Sequence, residues 1–404
     1  MRRMLAMVLC FVLAGVLVAC GETGGSGDGA STQTEVVTES ETSTVTSGEG
    51  VTDSDSDKTS SGTQTETDDG QSESSSETKE EDETKDVQIF NPEIEHKFIA
   101  NDIINFSLVV FDLNLCEGDF TKLSDESCVV WEWKSREDPN CKYANKIIRS
   151  ISGVKFRYSE YYKRDVVIAC ANFGWVGVID YDNCSLLWEC ALPVGPHSVE
   201  MLPNGDVVVG SADGEGALIY FPLSAGITEP VHSIVSPSCH GVCWDPVKEC
   251  LWVLEGPGIY ACTVENPGTA EGKLVRVEGS GDTFSGDNGG HAFAPIGGEP
   301  GKYWASAGKA LWRFDTDTQK ITGVTGALSS SAIKGICSFS DRTVIESVAG
   351  LCGKNKYSWG SDGFRIITRE LSTGKVKVPR DVVTVVPFRG REFYKIQAFD
   401  KNYQ

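Results

Sequence analysis

The sequence predicts an all-β chain folded as a β-propeller, and three observations predict it. First, one short pattern recurs: a leading residue, mostly polar or basic, then a small one, then an apolar one. It reads Ser152-Gly153-Val154, His197-Ser198-Val199, His240-Gly241-Val242, His291-Ala292-Phe293 and Lys334-Gly335-Ile336. The leading residues lie 45, 43, 51 and 43 positions apart, and a period of about 40–50 residues made of short strands marks a propeller. Second, each pattern opens a set of four short apolar runs bounded by turn residues. Third, an incomplete set precedes the first repeat and a spare run follows the last, as in a ring closed by one blade shared between its two ends.

The units follow in order. The first complete one has runs at 154–158, 166–171, 176–181 and 186–191. The next has 198–202, 207–211, 216–221 and a weaker run at 230–235. Its Asn204-Gly205, between two apolar runs, is a strong hairpin signal. Then come 242–245, 251–254, 258–264 and 273–277, followed by 291–296, 303–307, 310–315 and 320–324. The last has 335–339, 343–348, 364–371 and a run within 375–387. The ends supply a sixth blade: 98–101, 107–113 and 129–133 as its second to fourth strands, and 393–399 as its first. Six four-stranded blades is the expected count; seven would follow if 340–390 merges two units. Asp112, Asp180 and Asp315 close equivalent third runs, where a carboxylate suits a turn. The nine tryptophans are read as packing between blades, except Trp175 and Trp359, which sit beside glycines in loop-like sequence.

Residues 1–19 read as a lipoprotein signal peptide. Arg2 and Arg3 precede an apolar run too short for a membrane span, which ends Leu17-Val18-Ala19-Cys20-Gly21. Cys20 is therefore the expected site of lipidation with palmitate-type acyl chains, which would anchor the chain to a membrane. Residues 20–86 read as an acidic Ser/Thr-rich disordered tether: 21–86 carries 19 acidic residues against 3 lysines and no Trp or Tyr. Such a segment cannot bury enough apolar surface to fold, and its like charges extend it. Residues 87–404 are the propeller domain. The chain's −22, less the tether's −16 and the leader's +2, leaves it −8. With no basic run, it has nothing to attract nucleic acid. Twelve of the 14 cysteines fall in this domain without a Cys-x-x-Cys. Cys170, Cys243, Cys262 and Cys337 lie in apolar runs, where thiols act as small buried hydrophobes. Cys116 with Cys128 or Cys141 is the pair best placed to bond.

Five stretches resemble a family of secreted bacterial six-bladed propellers of unknown function. They are Val129-Val130-Trp131-Glu132-Trp133, Gly174-Trp175-Val176-Gly177-Val178-Ile179-Asp180, the run from Pro196 to Gly205, His240-Gly241-Val242-Cys243-Trp244-Asp245 and Phe393-Tyr394-Lys395. The resemblance spans about 95–400. It implies a fold and an extracytoplasmic setting, and it brings no catalytic residue.

The candidate site is His197, His240 and His291 with Lys334, because equivalent positions of successive blades converge on the axis. Three uses stand open. The histidines would be a divalent-metal ligand set, an arrangement that resembles the axial histidines and manganese of some polysaccharide lyases on larger propellers. They would be structural, as in the Gly-His pairs of tryptophan–aspartate repeat propellers, with Asp315 answering His291 and Asp245 answering His240. Or they would line a polar pocket as hydrogen-bonding groups, without metal. Glu200, three residues beyond His197, is expected to face a neighbouring blade. No Gly-x-Ser-x-Gly, His-Glu-x-x-His or phosphate-loop ending is present. The expected function is a monomeric, membrane-anchored module on the bacterial cell surface. It would bind a cell-wall or extracellular carbohydrate, peptide or protein at the axial funnel. The alternative is a metal-assisted polysaccharide lyase or hydrolase.

Overall fold

The computed structural model describes residues 90–403 except 286–288, 308–309 and 372–378. The expected leader, Cys20 and the tether lie outside the described residues. Among those described, no helix is long and apolar enough to cross a membrane.

Six antiparallel sheets follow the predicted runs closely. Strands β1 (Lys97–Asp102), β2 (Ser107–Asp112) and β3 (Val129–Lys134) wait for a partner from the far end of the chain. The next four blades, each with its strands in chain order from the axis outward, follow in sequence. They are β4 (Ile151–Ser159) to β7 (Ser185–Ala191) through β5 (Arg164–Ala171) and β6 (Trp175–Asp180); then β8 (Pro196–Met201), β9 (Val207–Ser211), β10 (Ala217–Phe221) and β11 (His232–Val235). Next come β12 (Gly241–Asp245), β13 (Cys250–Glu255), β14 (Gly258–Glu265) and β15 (Lys273–Arg276), with a short extra strand β16 (Asp282–Thr283) on β14. The fifth sheet is β17 (Gly290–Pro295), β18 (Lys302–Ala307), β19 (Ala310–Asp315) and β20 (Lys320–Gly323). The sixth is β21 (Ile333–Ser338), β22 (Val344–Val348), β23 (Gly363–Leu371) and β24 (Pro379–Pro387). Finally β25 (Phe393–Ala398) pairs with β1, so the first sheet runs β25-β1-β2-β3. The count is six; β22, β23 and β24, within the stretch 340–390, belong to one blade.

The inner strands make the ring. β4 touches β8, β8 touches β12, β12 touches β17, β17 touches β21, β21 touches β25, and β25 returns to β4. Strand alternation sends successive side chains to opposite neighbours. Phe98 and Ala100 pack toward the β21–β24 blade, whereas Ile99 packs toward the β4–β7 blade. Each of the six apolar clusters among the described residues joins two adjacent blades. Burying each large side chain in them contributes about 1.5–3 kcal/mol.

The small residue of the repeated pattern is explained by the narrowness of the ring. A Cβ on Gly335 would stand 2.5 Å from the Ile396 amide nitrogen, and one on Gly241 would stand 2.3 Å from the Phe293 Cβ. Serines then bridge the seams: Ser198 Oγ accepts from Val242 N at 3.0 Å, and Ser347 Oγ donates to Tyr394 O at 2.7 Å. Trp175 corrects the sequence reading. It is buried, stacks on Trp133 at 6.1 Å and donates from Nε1 to Glu189 Oε2 at 3.0 Å. It is a packing residue like most of the others. Asp112, Asp180 and Asp315 do close turns, each accepting a backbone amide two or three residues ahead.

Candidate functional site at the axial mouth

The leading residue of four of the five patterns sits where its strand slips register, while His240 stands just ahead of the regularly paired β12. The pairing shifts between Ile151 and Gly153, Pro196 and Ser198, Gly290 and Phe293, and Ile333 and Gly335. A bulge of this kind turns one side chain out of the normal alternation. It turns His197 and His291 toward His240. The rings of His197 and His240 are 4.7 Å apart, and those of His240 and His291 are 4.8 Å apart. His240 therefore stands between the other two.

None of the expected His–Asp pairings forms. Asp245 accepts from Val247 N, Lys248 N and Trp252 Nε1, and Asp315 pairs with Lys302. His240 instead places Nδ1 at 3.0 Å from Ser238 O. A carbonyl only accepts, so this nitrogen carries the proton and Nε2 keeps a lone pair. The Nδ1 atoms of His197 and His291 are buried without a hydrogen-bond partner. The nearest carboxylate to His197 is the exposed Asp213, 3.8 Å from Nε2. Among the described residues no group of three or more His, Cys, Asp or Glu is placed to hold a metal ion.

The sixth inner strand differs from the other five. Its bulge is Tyr394-Lys395-Ile396, so Lys395 occupies the place taken elsewhere by Gly, Ser or Ala. Asn101 Oδ1 holds this bulge by accepting from both Tyr394 N and Lys395 N. The Lys395 side chain is 6% exposed, and its Nζ donates to His240 O at 3.4 Å. Burial, then the charge of Lys334, brings its pKa down to about 7. The histidines are lowered in turn, first by burial and then by lysine charges. Lys395 acts on all three and Lys334 on His197 and His291, giving about 4 for His197, about 2 for His240 and about 3 for His291. All three imidazoles are neutral at physiological pH. Lys334, half-buried, has its pKa lowered by burial.

One layer deeper on the axis lies a buried ion cluster. Glu200 Oε2 accepts from Lys155 Nζ at 2.7 Å and Arg157 Nη2 at 3.0 Å, and Oε1 accepts from Arg157 Nε at 2.9 Å. Lys155 also donates to Val242 O. Glu200 does reach neighbouring blades, on both sides, since Trp244 N donates to it at 3.2 Å. Beside the histidines, an aromatic ledge borders the mouth. Trp359 stacks on Tyr357 at 5.0 Å and meets Tyr394 edge-on at 5.4 Å, and Tyr394 lies 6.4 Å from the His197 ring.

A larger groove of about 420 Å³ opens between the β17–β20 and β21–β24 blades, with Trp304, Arg313 and Arg369 in its wall. Arg313 is answered there by Glu299, and Arg369 Nε lies 3.8 Å from Asp381 Oδ1 without a hydrogen bond. The groove leaves Arg369 Nε without a hydrogen bond, whereas the mouth leaves two such atoms together, the Nδ1 atoms of His197 and His291.

The sequence pattern of DUF6528, described as a family of unknown function, matches residues 122–350. No curated protein matches the chain. Three solved structures are similar at low identity. A protein of unknown function from Bacteroides caccae is 11% identical with a TM-score of 0.45, covering 76% of this chain and 99% of its own. The Kuenenia stuttgartiensis hydrazine synthase is 11% identical with a TM-score of 0.42, covering 65% of this chain and 70% of its own. The β-propeller domain of Myceliophteria thermophila Cps50 (Swd1) is 10% identical with a TM-score of 0.43, covering 72% and 89%. Likenesses this remote carry no activity over to the chain.

Proposed function

Because this chain belongs to the DUF6528 family, which has no activity to lend it, we propose from its own geometry that it is a binding module for carbohydrate. The ligand docks on the axial mouth. The observation that carries this is the meeting of His197, His240 and His291 beside the Trp359–Tyr394 ledge, with two imidazole nitrogens buried and unanswered. A sugar offers an apolar face for the indole and hydroxyls for the imidazoles. Such sites combine apolar contact with a few convergent polar groups. The neutral tautomers supply both donors and acceptors. Metal-assisted lysis or hydrolysis has no specific observation in its favour.

The placement we propose is the outer face of a bacterial membrane, through acyl chains on Cys20. The run from Arg2 to Gly21 supports it. Cys20→Ala should then move the protein from the membrane fraction to the soluble one.

Calorimetric titration with cell-wall and extracellular oligosaccharides tests the binding function. Trp359→Ala should weaken a positive titration about tenfold or more, as losing an aromatic anchor does. His197→Ala and His291→Ala should weaken it too. Identical curves for all four proteins would place the ligand elsewhere.

A further inference from the structure

Five of the six inner strands place Gly, Ser or Ala at the second position of the pattern, because the ring leaves no room for more. The sixth places a lysine there. Its ammonium is delivered to the axis below the imidazoles, in a blade whose neighbours could not hold a side chain at that point. Beside it is a void of about 10 Å³, bordered by His197, His240, Ser198, Gly153, Gly335 and Lys395 itself. That is room for about one water-sized particle.

The charges around this void do not balance. Lys155 and Arg157 already share the Glu200 carboxylate. Lys334 adds a further cation at the mouth. The three histidines are neutral, and the thiols of Cys170 and Cys239, also near Lys395, are held protonated by burial. Among the described residues no carboxylate pairs with Lys395. Among the described residues the one hydrogen bond of its ammonium is the long bond to His240 O. Burial leaves Lys395 about half protonated near pH 7, and its ammonium form has no counter-charge to hold it. His197, whose Nδ1 is unanswered, borders the same void.

We propose that the floor of the mouth binds one small inorganic anion of the halide class, held by the Lys395 ammonium beneath the histidine layer. A void of this size excludes polyatomic anions, and chloride or bromide, each larger than a water molecule, enters only as the walls give slightly. The charge imbalance selects an anion over a cation. This site shares His197 and His240 with the sugar site proposed at the mouth, but it needs neither Trp359 nor an exposed surface.

The test compares thermal unfolding of the full chain in sodium chloride, sodium bromide and sodium gluconate at one ionic strength. Gluconate is too large for the void. A ligand that binds only the folded state raises its midpoint, so chloride and bromide should raise it by about 2 °C or more over gluconate. Lys395→Met keeps the chain length and removes the charge, so its three midpoints should coincide. Bromide-soaked crystals of the unmodified protein give a second readout that does not depend on the variant folding: an anomalous peak in contact with Lys395 Nζ. Equal midpoints in halide and gluconate, an undiminished halide increment in Lys395→Met, or an empty bromide map at Lys395 would each overturn the proposal.

Discussion

Glu200→Gln isolates the ion cluster on the axis. The substitution keeps the shape of the side chain and one carbonyl-type oxygen, but removes its charge. Glu200 is fully buried, as are Lys155 and Arg157. Its two oxygens accept five hydrogen bonds: three from those cations, one from Met201 N at 3.0 Å and one from Trp244 N at 3.2 Å. The amide can replace only part of this, and its NH2 group would face two cations. Breaking a buried ion pair on one side costs about 3–5 kcal/mol, a large share of a typical total of about 5–15 kcal/mol. Urea unfolding should show the midpoint falling by that share with little change in slope. Replacing the whole cluster by apolar residues, Lys155→Met with Arg157→Met and Glu200→Leu, should cost far less than Glu200→Gln alone, since no charge is then stranded. A loss below about 1 kcal/mol for Glu200→Gln would refute the idea that this carboxylate neutralises the axis. Acid should act in the same direction. Against the burial that pushes it up, the Arg157 and Lys155 charges hold the Glu200 pKa below its usual value, so its contribution is present above the unfolded pKa and is lost as pH falls toward the folded one.

Three other outcomes are expected. The histidines have folded pKa values of about 2–4 against about 6.5 unfolded. Between pH 6.5 and 4 the unfolded chain takes up protons that the folded one refuses, so stability should fall with acidification by up to about 1.4 kcal/mol per pH unit for each histidine. His197→Gln with His291→Gln should flatten that slope in denaturant midpoints measured from pH 7 to 5, and an unchanged slope would count against neutral imidazoles. Cys116 and Cys128 are buried with their sulfurs 3.7 Å apart. A thiol oxidant should join them, which peptide mapping would detect, and should stabilise the chain by about 2–3 kcal/mol, the effect of closing a loop of this length. Deleting 391–404 removes β25, exposes the β1 edge and should cause aggregation; a truncated protein that melts like the full one would contradict the role of that strand.

The blades were legible in the sequence because their strands alternate and their turns use Asn-Gly, Asp and Gly, and both signals are local. The histidine mouth was legible because its members share one pattern at one period. Lys395 was not, because it breaks that pattern: Tyr394-Lys395-Ile396 has no small residue in the middle, so a search for polar–small–apolar triplets passes over it. Aligning 393–399 to the other first strands would have exposed a lysine at a glycine position. The ion cluster was hidden for another reason. Lys155 and Arg157 lie two apart on one strand and look like alternating surface charges; only the ring shows that they turn toward the axis. His96 was missed likewise. It is fully buried with Nε2 2.8 Å from Asp341 Oδ2, a pairing across 245 residues that no local signal announces.

The seam between β25 and β1 has a consequence for how this ring could be cut. Phe98 lies opposite Ala398, and Phe399 N donates to Lys97 O at 2.9 Å. The two strands already run as the arms of a hairpin that lacks only its connecting turn. In each of the other five blades that turn is present between first and second strands. A short linker from 399 to 97 would supply it, and a new opening could then be made in any other blade's first hairpin. Circular permutants of the propeller built this way should enclose the same axis. What would differ is which blade closes last, and so which residues must leave the ribosome before the ring can form.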